Sequence, residues 1–274
     1  MFSIGIQAYF SAHEEDVYAI ESFVANDETF LVSAGLGGEI KVWNLSNNTL
    51  VATLTGHTGA VLSMALYVQN GVQMLASGCS DETIKLWDLS RYTNVHTLPT
   101  PERTYGPLIV YERNGKVILI SGRWREPFKV WDLDDYSINT TLEELLHGSH
   151  ILSVFTHDDR IYLAGGTQDN KIKIWSDGDL ALVKTIDTDI TMNLLVVLDI
   201  EEKKIPVIAD LHETIQLWNL NDYVCIKTIQ VHTRGYFAWM GILQCGGTVT
   251  YYSRMFGNKM TTESTFGICK MNQM

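Results

Sequence analysis

Thr83-Ile84-Lys85-Leu86-Trp87-Asp88-Leu89 alternates apolar and polar residues with period two, the pattern of a β-strand with two distinct faces. The phrase occurs once before, as Glu39-Ile40-Lys41-Val42-Trp43-Asn44-Leu45. It returns as Pro127-Phe128-Lys129-Val130-Trp131-Asp132-Leu133, Lys171-Ile172-Lys173-Ile174-Trp175-Ser176-Asp177 and Thr214-Ile215-Gln216-Leu217-Trp218-Asn219-Leu220. Its tryptophans, Trp43, Trp87, Trp131, Trp175 and Trp218, stand 44, 44, 44 and 43 residues apart. A fixed period of this length marks a chain assembled from one repeated supersecondary unit.

Two further elements keep the same period. A small or hydroxyl residue stands ten positions before the tryptophan at Ser33, Ser77, Ser121 and Gly165, and Ile208 breaks the series. A histidine lies further upstream, clearest in Gly56-His57, which precedes the strand-like Ala60-Val61-Leu62-Ser63-Met64. His13 lies 30 residues before Trp43 and His147 lies 28 before Trp175. Pro101 and Asp189 take that place in the third and fifth repeats, and His232 opens a last one. The connecting stretches are short and rich in Gly, Asp, Asn and Ser, as turns between strands are, and no segment reads as a helix of useful length.

The spacing, the Gly-His and the Trp-Asp together resemble the WD-repeat family over roughly residues 3 to 255. The resemblance implies an all-β fold, a β-propeller of four-stranded antiparallel blades, with residues 1–274 as one domain. It also implies a buried network of His, Ser or Thr, turn Asp and Trp. The second repeat holds the whole set, His57, Ser77, Asp81 and Trp87; the fourth holds His147, Asp169 and Trp175 without the hydroxyl. Gly37, Arg125 and His212 replace the turn Asp elsewhere, so those repeats are expected to rest mainly on packing. A sixth, degenerate repeat starts at Gly235-Tyr236-Phe237-Ala238-Trp239, and Thr262 stands where its tryptophan belongs. With Ile4–Phe10 as a closing outer strand the expectation is six blades; seven, the commoner number, would need about 40 more residues.

Composition narrows the function. The 274 residues carry 20 basic and 32 acidic side chains, a net charge of −12, which disfavours broad contact with nucleic acid or anionic membrane. No apolar run approaches the roughly 20 residues of a membrane helix, and Met1–Ser11 makes a poor signal peptide. Cys79, Cys225, Cys245 and Cys269 form no CxxC pair and no disulfide framework, which fits a reducing compartment, cytoplasmic or nuclear.

Chemistry-bearing motifs are sparse. There is no nucleophile elbow, P-loop or dinucleotide fingerprint; Gly35-Leu36-Gly37-Gly38 is a turn between strands. His147 and His150 lack a supporting Cys or carboxylate cluster, so no metal and no cofactor is expected. The acidic pairs Asp134-Asp135, Glu143-Glu144 and Asp158-Asp159 read as solvated turns. The departure that points to binding is Gly122-Arg123-Trp124-Arg125-Glu126-Pro127, since Trp and Arg are the residue types enriched in binding hot spots. By the resemblance, partners dock on the face of the histidine loops, which makes Arg103, Tyr105, Arg123, Trp124, Arg125, His212 and Arg234 the candidates. Local packing of Trp124 and solvation of the arginines is the competing reading. Basic residues on an acidic protein suit an acidic or phosphorylated peptide. The reading is a non-catalytic interaction platform within a larger complex, a scaffold or the substrate-recognition subunit of a ubiquitin ligase or signalling assembly. A propeller-fold hydrolase is the alternative of another class, and a sixth blade completed by a partner strand is a third reading.

Overall fold

The computed structural model describes residues 13–100, 106–123, 126–142, 151–167, 169–178, 181–200, 203–210, 214–219, 222–230, 236–245, 248–256 and 266–271. These form 23 strands in six antiparallel sheets, five of four strands and one of three, with no helix. The described residues divide into two compact units, one before and one from Ile151.

The first unit holds three sheets. They are β1 (Val17–Ala25), β2 (Glu28–Gly35), β3 (Ile40–Asn44) and β4 (Thr49–Leu54); then β5 (Val61–Gln69), β6 (Val72–Cys79), β7 (Thr83–Asp88) and β8 (Thr93–Pro99); then β9 (Leu108–Arg113), β10 (Lys116–Arg123), β11 (Glu126–Asp132) and β12 (Ser137–Leu142). The second unit holds β13 (Ile151–His157), β14 (Arg160–Gly166), β15 (Lys171–Ser176) and β16 (Leu182–Asp187), followed by β17 (Met192–Ile200), β18 (Lys203–Asp210), β19 (Thr214–Asn219) and β20 (Val224–Gln230). Its last sheet has β21 (Tyr236–Cys245), β22 (Thr248–Phe256) and β23 (Phe266–Met271). Within each sheet sequential strands are neighbours, the meander of a β-propeller blade. Ile4–Phe10, the expected closing strand, lies outside the described residues.

Each motif tryptophan sits in the third strand of its sheet. The alternation read in the sequence becomes two buried faces. Ile84 and Leu86 of β7 pack toward the third sheet with Leu108, Leu119 and Trp131, while Trp87 packs toward the first sheet with Val32, Ile40 and Val42. In the second unit Ile172, Ile174, Ile208 and Trp218 build the equivalent layer. Fully burying a side chain of this size contributes about 1.5–3 kcal/mol, so one sheet leans on the next for most of its stability.

The tryptophan also shapes the strand. Pairing of the third and fourth strands slips at Val42/Trp43, Leu86/Trp87, Val130/Trp131, Ile174/Trp175 and Leu217/Trp218, a bulge that sharpens the local twist. The residue after it closes the following turn, because its side-chain oxygen accepts a backbone N–H two residues on: Asn44 from Ser46, Asp88 from Ser90 and Asp132 from Asp134, at 2.7–2.9 Å. Five residues after the tryptophan the backbone is left-handed at Asn48, Tyr92, Tyr136 and Tyr223, with φ of 56–62°. Tyrosine seldom adopts that conformation, and here its ring reaches the neighbouring sheet. Tyr92 packs against the first core layer, Tyr136 stacks on His96 at 3.7 Å, and Tyr223 lies under Lys184 Nζ at 4.6 Å.

Candidate functional site

Antiparallel order places the β2–β3, β6–β7 and β10–β11 loops at the same end of their sheets as the segments that lead into β1, β5 and β9. The backbone joins the two sets. Leu36 N–H donates to Asp16 O, Ser80 N–H to Ala60 O and Gly122 N–H to Pro107 O, at 2.9, 2.9 and 3.1 Å. This is the end that carries the histidines.

In the second sheet all four network residues meet. His57 Nδ1 lies 2.9 Å from Asp81 Oδ2, and His57 Nε2 lies 2.8 Å from Ser77 Oγ. The Trp87 indole N–H donates to Ser77 Oγ at 2.8 Å. Asp81 is ionised and accepts only, so His57 donates from Nδ1, and its Nε2 accepts the Ser77 hydroxyl proton. Asp81 Oδ2 also accepts Thr58 N–H at 3.0 Å, and Oδ1 accepts the Thr83 N–H and hydroxyl at 3.1 and 2.7 Å. Burial pushes His57 below its ordinary pKa despite the attraction of Asp81. Burial also works against the charged form of Asp81, but hydrogen bonds from Thr83, Thr58 and His57 outweigh it and hold the carboxyl well below the usual range.

Ser77, His57 and Asp81 thus have the connectivity of a nucleophile, a base and an orienting carboxylate. The Ser77 side chain is 0% exposed, however, and its oxygen is occupied by the Trp87 N–H. No substrate carbonyl reaches it, and the relay is used to tie β5, β6 and β7 together. A buried polar group stabilises only when paired, and here each one is.

In the first, third and fifth sheets, expected to rest mainly on packing, the tryptophan N–H is hydrogen-bonded as well. Trp43 Nε1 donates to Ser33 Oγ at 3.0 Å, and His13 Nε2 lies 2.9 Å from the same oxygen. Trp131 Nε1 donates to Ser121 Oγ at 2.9 Å. In the fifth repeat, where Ile208 removes the hydroxyl, Trp218 Nε1 donates to Gln216 Oε1 at 3.2 Å and Gln216 Nε2 donates to Asp189 Oδ1 at 2.6 Å. Gln216 stands where the other four repeats have Lys41, Lys85, Lys129 and Lys173. That substitution was the visible signal of a rebuilt relay, because residues two apart on a strand share a face. In the fourth repeat Asp169 accepts the Thr167 hydroxyl at 2.5 Å and pairs with Lys171 at 3.2 Å; Trp175 is buried, and His147 lies outside the described residues.

Of the binding candidates, Arg123 ends β10, its backbone opposite Glu126. Arg103, Tyr105, Trp124, Arg125, His212 and Arg234 lie outside the described residues. Two features of this end were not singled out in the sequence. A cleft of about 310 Å³ is lined by His13, Glu14, Glu15, Asp16, Gly37, Glu39 and Lys41. Below the second sheet's loop, the Cys79 thiol joins His57 and Asp81, with ligand-bearing atoms of all three within 4.8 Å. Burial lifts that thiol to about 11. Twenty-two residues separate Cys79 from His57 in the chain, so no short spacing announces the cluster.

The family model for the WD domain, G-beta repeat, matches residues 5–44, 48–88 and 139–176. These matches end at or next to Trp43, Trp87 and Trp175, the same tryptophans that sit in the third strands. No curated protein matches the chain. WD repeats generally mediate protein–protein interaction or scaffolding, and proteins built from them are typically not enzymes. With repeats in the matching register and four-stranded sheets built around them, the three matched repeats support a WD-repeat family for the chain.

Proposed function

We propose that the chain is a non-catalytic platform that captures an acidic or phosphorylated segment of a partner protein at the histidine-loop end of its third repeat. The observation that carries this reading is the internal use of the second repeat's Ser77, His57 and Asp81, which leaves the loops themselves to meet other molecules. Among those loops, Arg123-Trp124-Arg125 combines an aromatic anchor with two guanidinium groups on a chain of net charge −12. Arginine pairs bidentately with carboxylate and phosphate, and tryptophan is enriched among hot-spot residues. Arg103 and Tyr105 precede the same sheet, and His212 and Arg234 are the further candidates. In this reading the chain serves a larger cytoplasmic complex as scaffold or recognition subunit.

The test is a pull-down from cell extract with the wild-type chain and with an Arg123→Glu, Trp124→Ala, Arg125→Glu variant, quantified by mass spectrometry. The proposal expects a defined set of proteins to be lost at least tenfold from the variant while its thermal unfolding stays within about 1 kcal/mol of wild type, as for surface changes. Unchanged capture sinks the docking site. A second reading rests on the last sheet, which has three strands among the described residues. A strand supplied by Ile4–Phe10 or by a partner would pair with its open edge. Deleting residues 1–12 separates the two sources: a chain that closes itself loses stability, and a chain that waits for a partner does not.

A further inference from the structure

We propose that His57, Cys79 and Asp81 form a binding site for a single zinc-class divalent ion. Imidazole, thiolate and carboxylate are the three side-chain ligand types of zinc. Here one of each converges, with an imidazole nitrogen, Sγ and a carboxylate oxygen all within 4.8 Å of one another. Bond lengths of about 2.0–2.3 Å put neighbouring ligand atoms of a tetrahedral zinc about 3.3–3.7 Å apart. The 2.9 Å separation of His57 Nδ1 and Asp81 Oδ2 therefore opens by about 0.5 Å on binding.

Three features prepare the site. Thiolate and carboxylate together carry two negative charges, so the loaded cluster is neutral and its burial leaves no net charge in the interior. The second shell exists already. Ser77 Oγ backs His57 Nε2 at 2.8 Å, and Asp81 Oδ1 is held by the Thr83 N–H and hydroxyl. The proton balance also closes. The ion takes the Nδ1 lone pair, and the imidazole proton sits on Nε2 and donates to Ser77 Oγ. The Ser77 hydroxyl turns to the Lys85 carbonyl at 3.4 Å, and the thiol proton leaves to solvent. The Thr83 hydroxyl, 3.4 Å from His57 Nδ1, borders the fourth ligand position. The cluster is buried, the His57 side chain 0% and the Asp81 side chain 9% exposed, with the exposed Thr58 beside it.

The combination is particular to the second repeat. Gly35, Arg123, Thr167 and Asp210 take the place of Cys79 in the other four, eight residues before each tryptophan. Cys79 is also dispensable to the His57–Ser77–Trp87 relay, which makes it the discriminating residue.

Cobalt(II) titrated into the full chain, with absorption as readout, tests the assignment. The expected result is one saturable equivalent with a thiolate-to-cobalt charge-transfer band, displaced by zinc. Cys79→Ser abolishes the band and weakens zinc binding at least tenfold, while the metal-free variant unfolds within a few degrees of wild type. X-ray absorption of the zinc-loaded wild type needs no variant, and one sulfur at about 2.3 Å is expected. No saturable site, a band that survives Cys79→Ser, or a zinc shell without sulfur overturns the proposal.

Discussion

Ser77→Ala and Ser33→Ala delete the same oxygen from the same relay in adjacent sheets, and the structure assigns them different costs. Ser77 Oγ serves Trp87 Nε1 and His57 Nε2, both at 2.8 Å. Trp87 is 2% exposed and His57 9%, so water does not replace the lost oxygen. Each orphaned buried group costs about 1–3 kcal/mol, giving about 2–6 kcal/mol for the pair. At roughly 2 °C per kcal/mol for a chain of this length, the midpoint falls by about 4–12 °C. Ser33 Oγ serves Trp43 Nε1 and His13 Nε2 at 3.0 and 2.9 Å, but both rings are half-buried, and His13 Nε2 also lies 3.2 Å from the Ser33 backbone carbonyl, which the substitution leaves in place. The cost there is about 0.5–1.5 kcal/mol, the net worth of an ordinary hydrogen bond. Urea unfolding followed by tryptophan fluorescence measures both. Equal losses, or a loss below about 1 kcal/mol for Ser77→Ala, would refute the claim that burial gives the relay its strength.

Three other outcomes follow from named contacts. Glu21, on the face of β1 between Ala19 and Phe23 and opposite Val32, is pushed up to about 7 by burial, from 4.5. The folded chain therefore holds a proton that the unfolded chain releases, and stability falls as pH rises from 4.5 to 7, by about 3 kcal/mol; Glu21→Gln should remove that fall and leave stability at pH 4 unchanged, read from unfolding midpoints across pH. Gln216→Leu orphans the buried Trp218 N–H and should cost about 1–3 kcal/mol, whereas a fifth sheet held by packing alone would lose nothing. Gly122→Ala drives a methyl group into the Phe128 ring, which is 1% exposed, and should cost about 1–3 kcal/mol in denaturant unfolding.

The fold was legible because its signal is redundant. One strand phrase recurs five times, and the same residue types flank it at fixed offsets, so local propensity and global repeat agree at Trp43 through Trp218. The second repeat's relay was legible for the same reason. The fifth repeat's relay was signalled only by Gln216 in place of the repeated lysine, because Gln216 and Asp189 rebuild it from positions that the family pattern leaves to other residues. Tyr92, Tyr136 and Tyr223 were passed over because tyrosine gives no signal for a left-handed turn; only the contact of each ring with the neighbouring sheet shows why the strain is tolerated. The His57–Cys79–Asp81 cluster depends on β6 bringing its last residue up beside the loop that leads into β5, a register that spacing along the chain does not reveal.

The claim that the histidine-loop end of the third repeat is the docking surface is tested most directly by hydrogen exchange on the chain, alone and bound to a partner recovered by pull-down. The account predicts slowed exchange in residues 101–107 and 122–127, with the opposite-end turns at 113–116 and 133–137 unchanged. Protection confined to those turns or to the outer strand β12, with 122–127 exchanging as in the free chain, would contradict it.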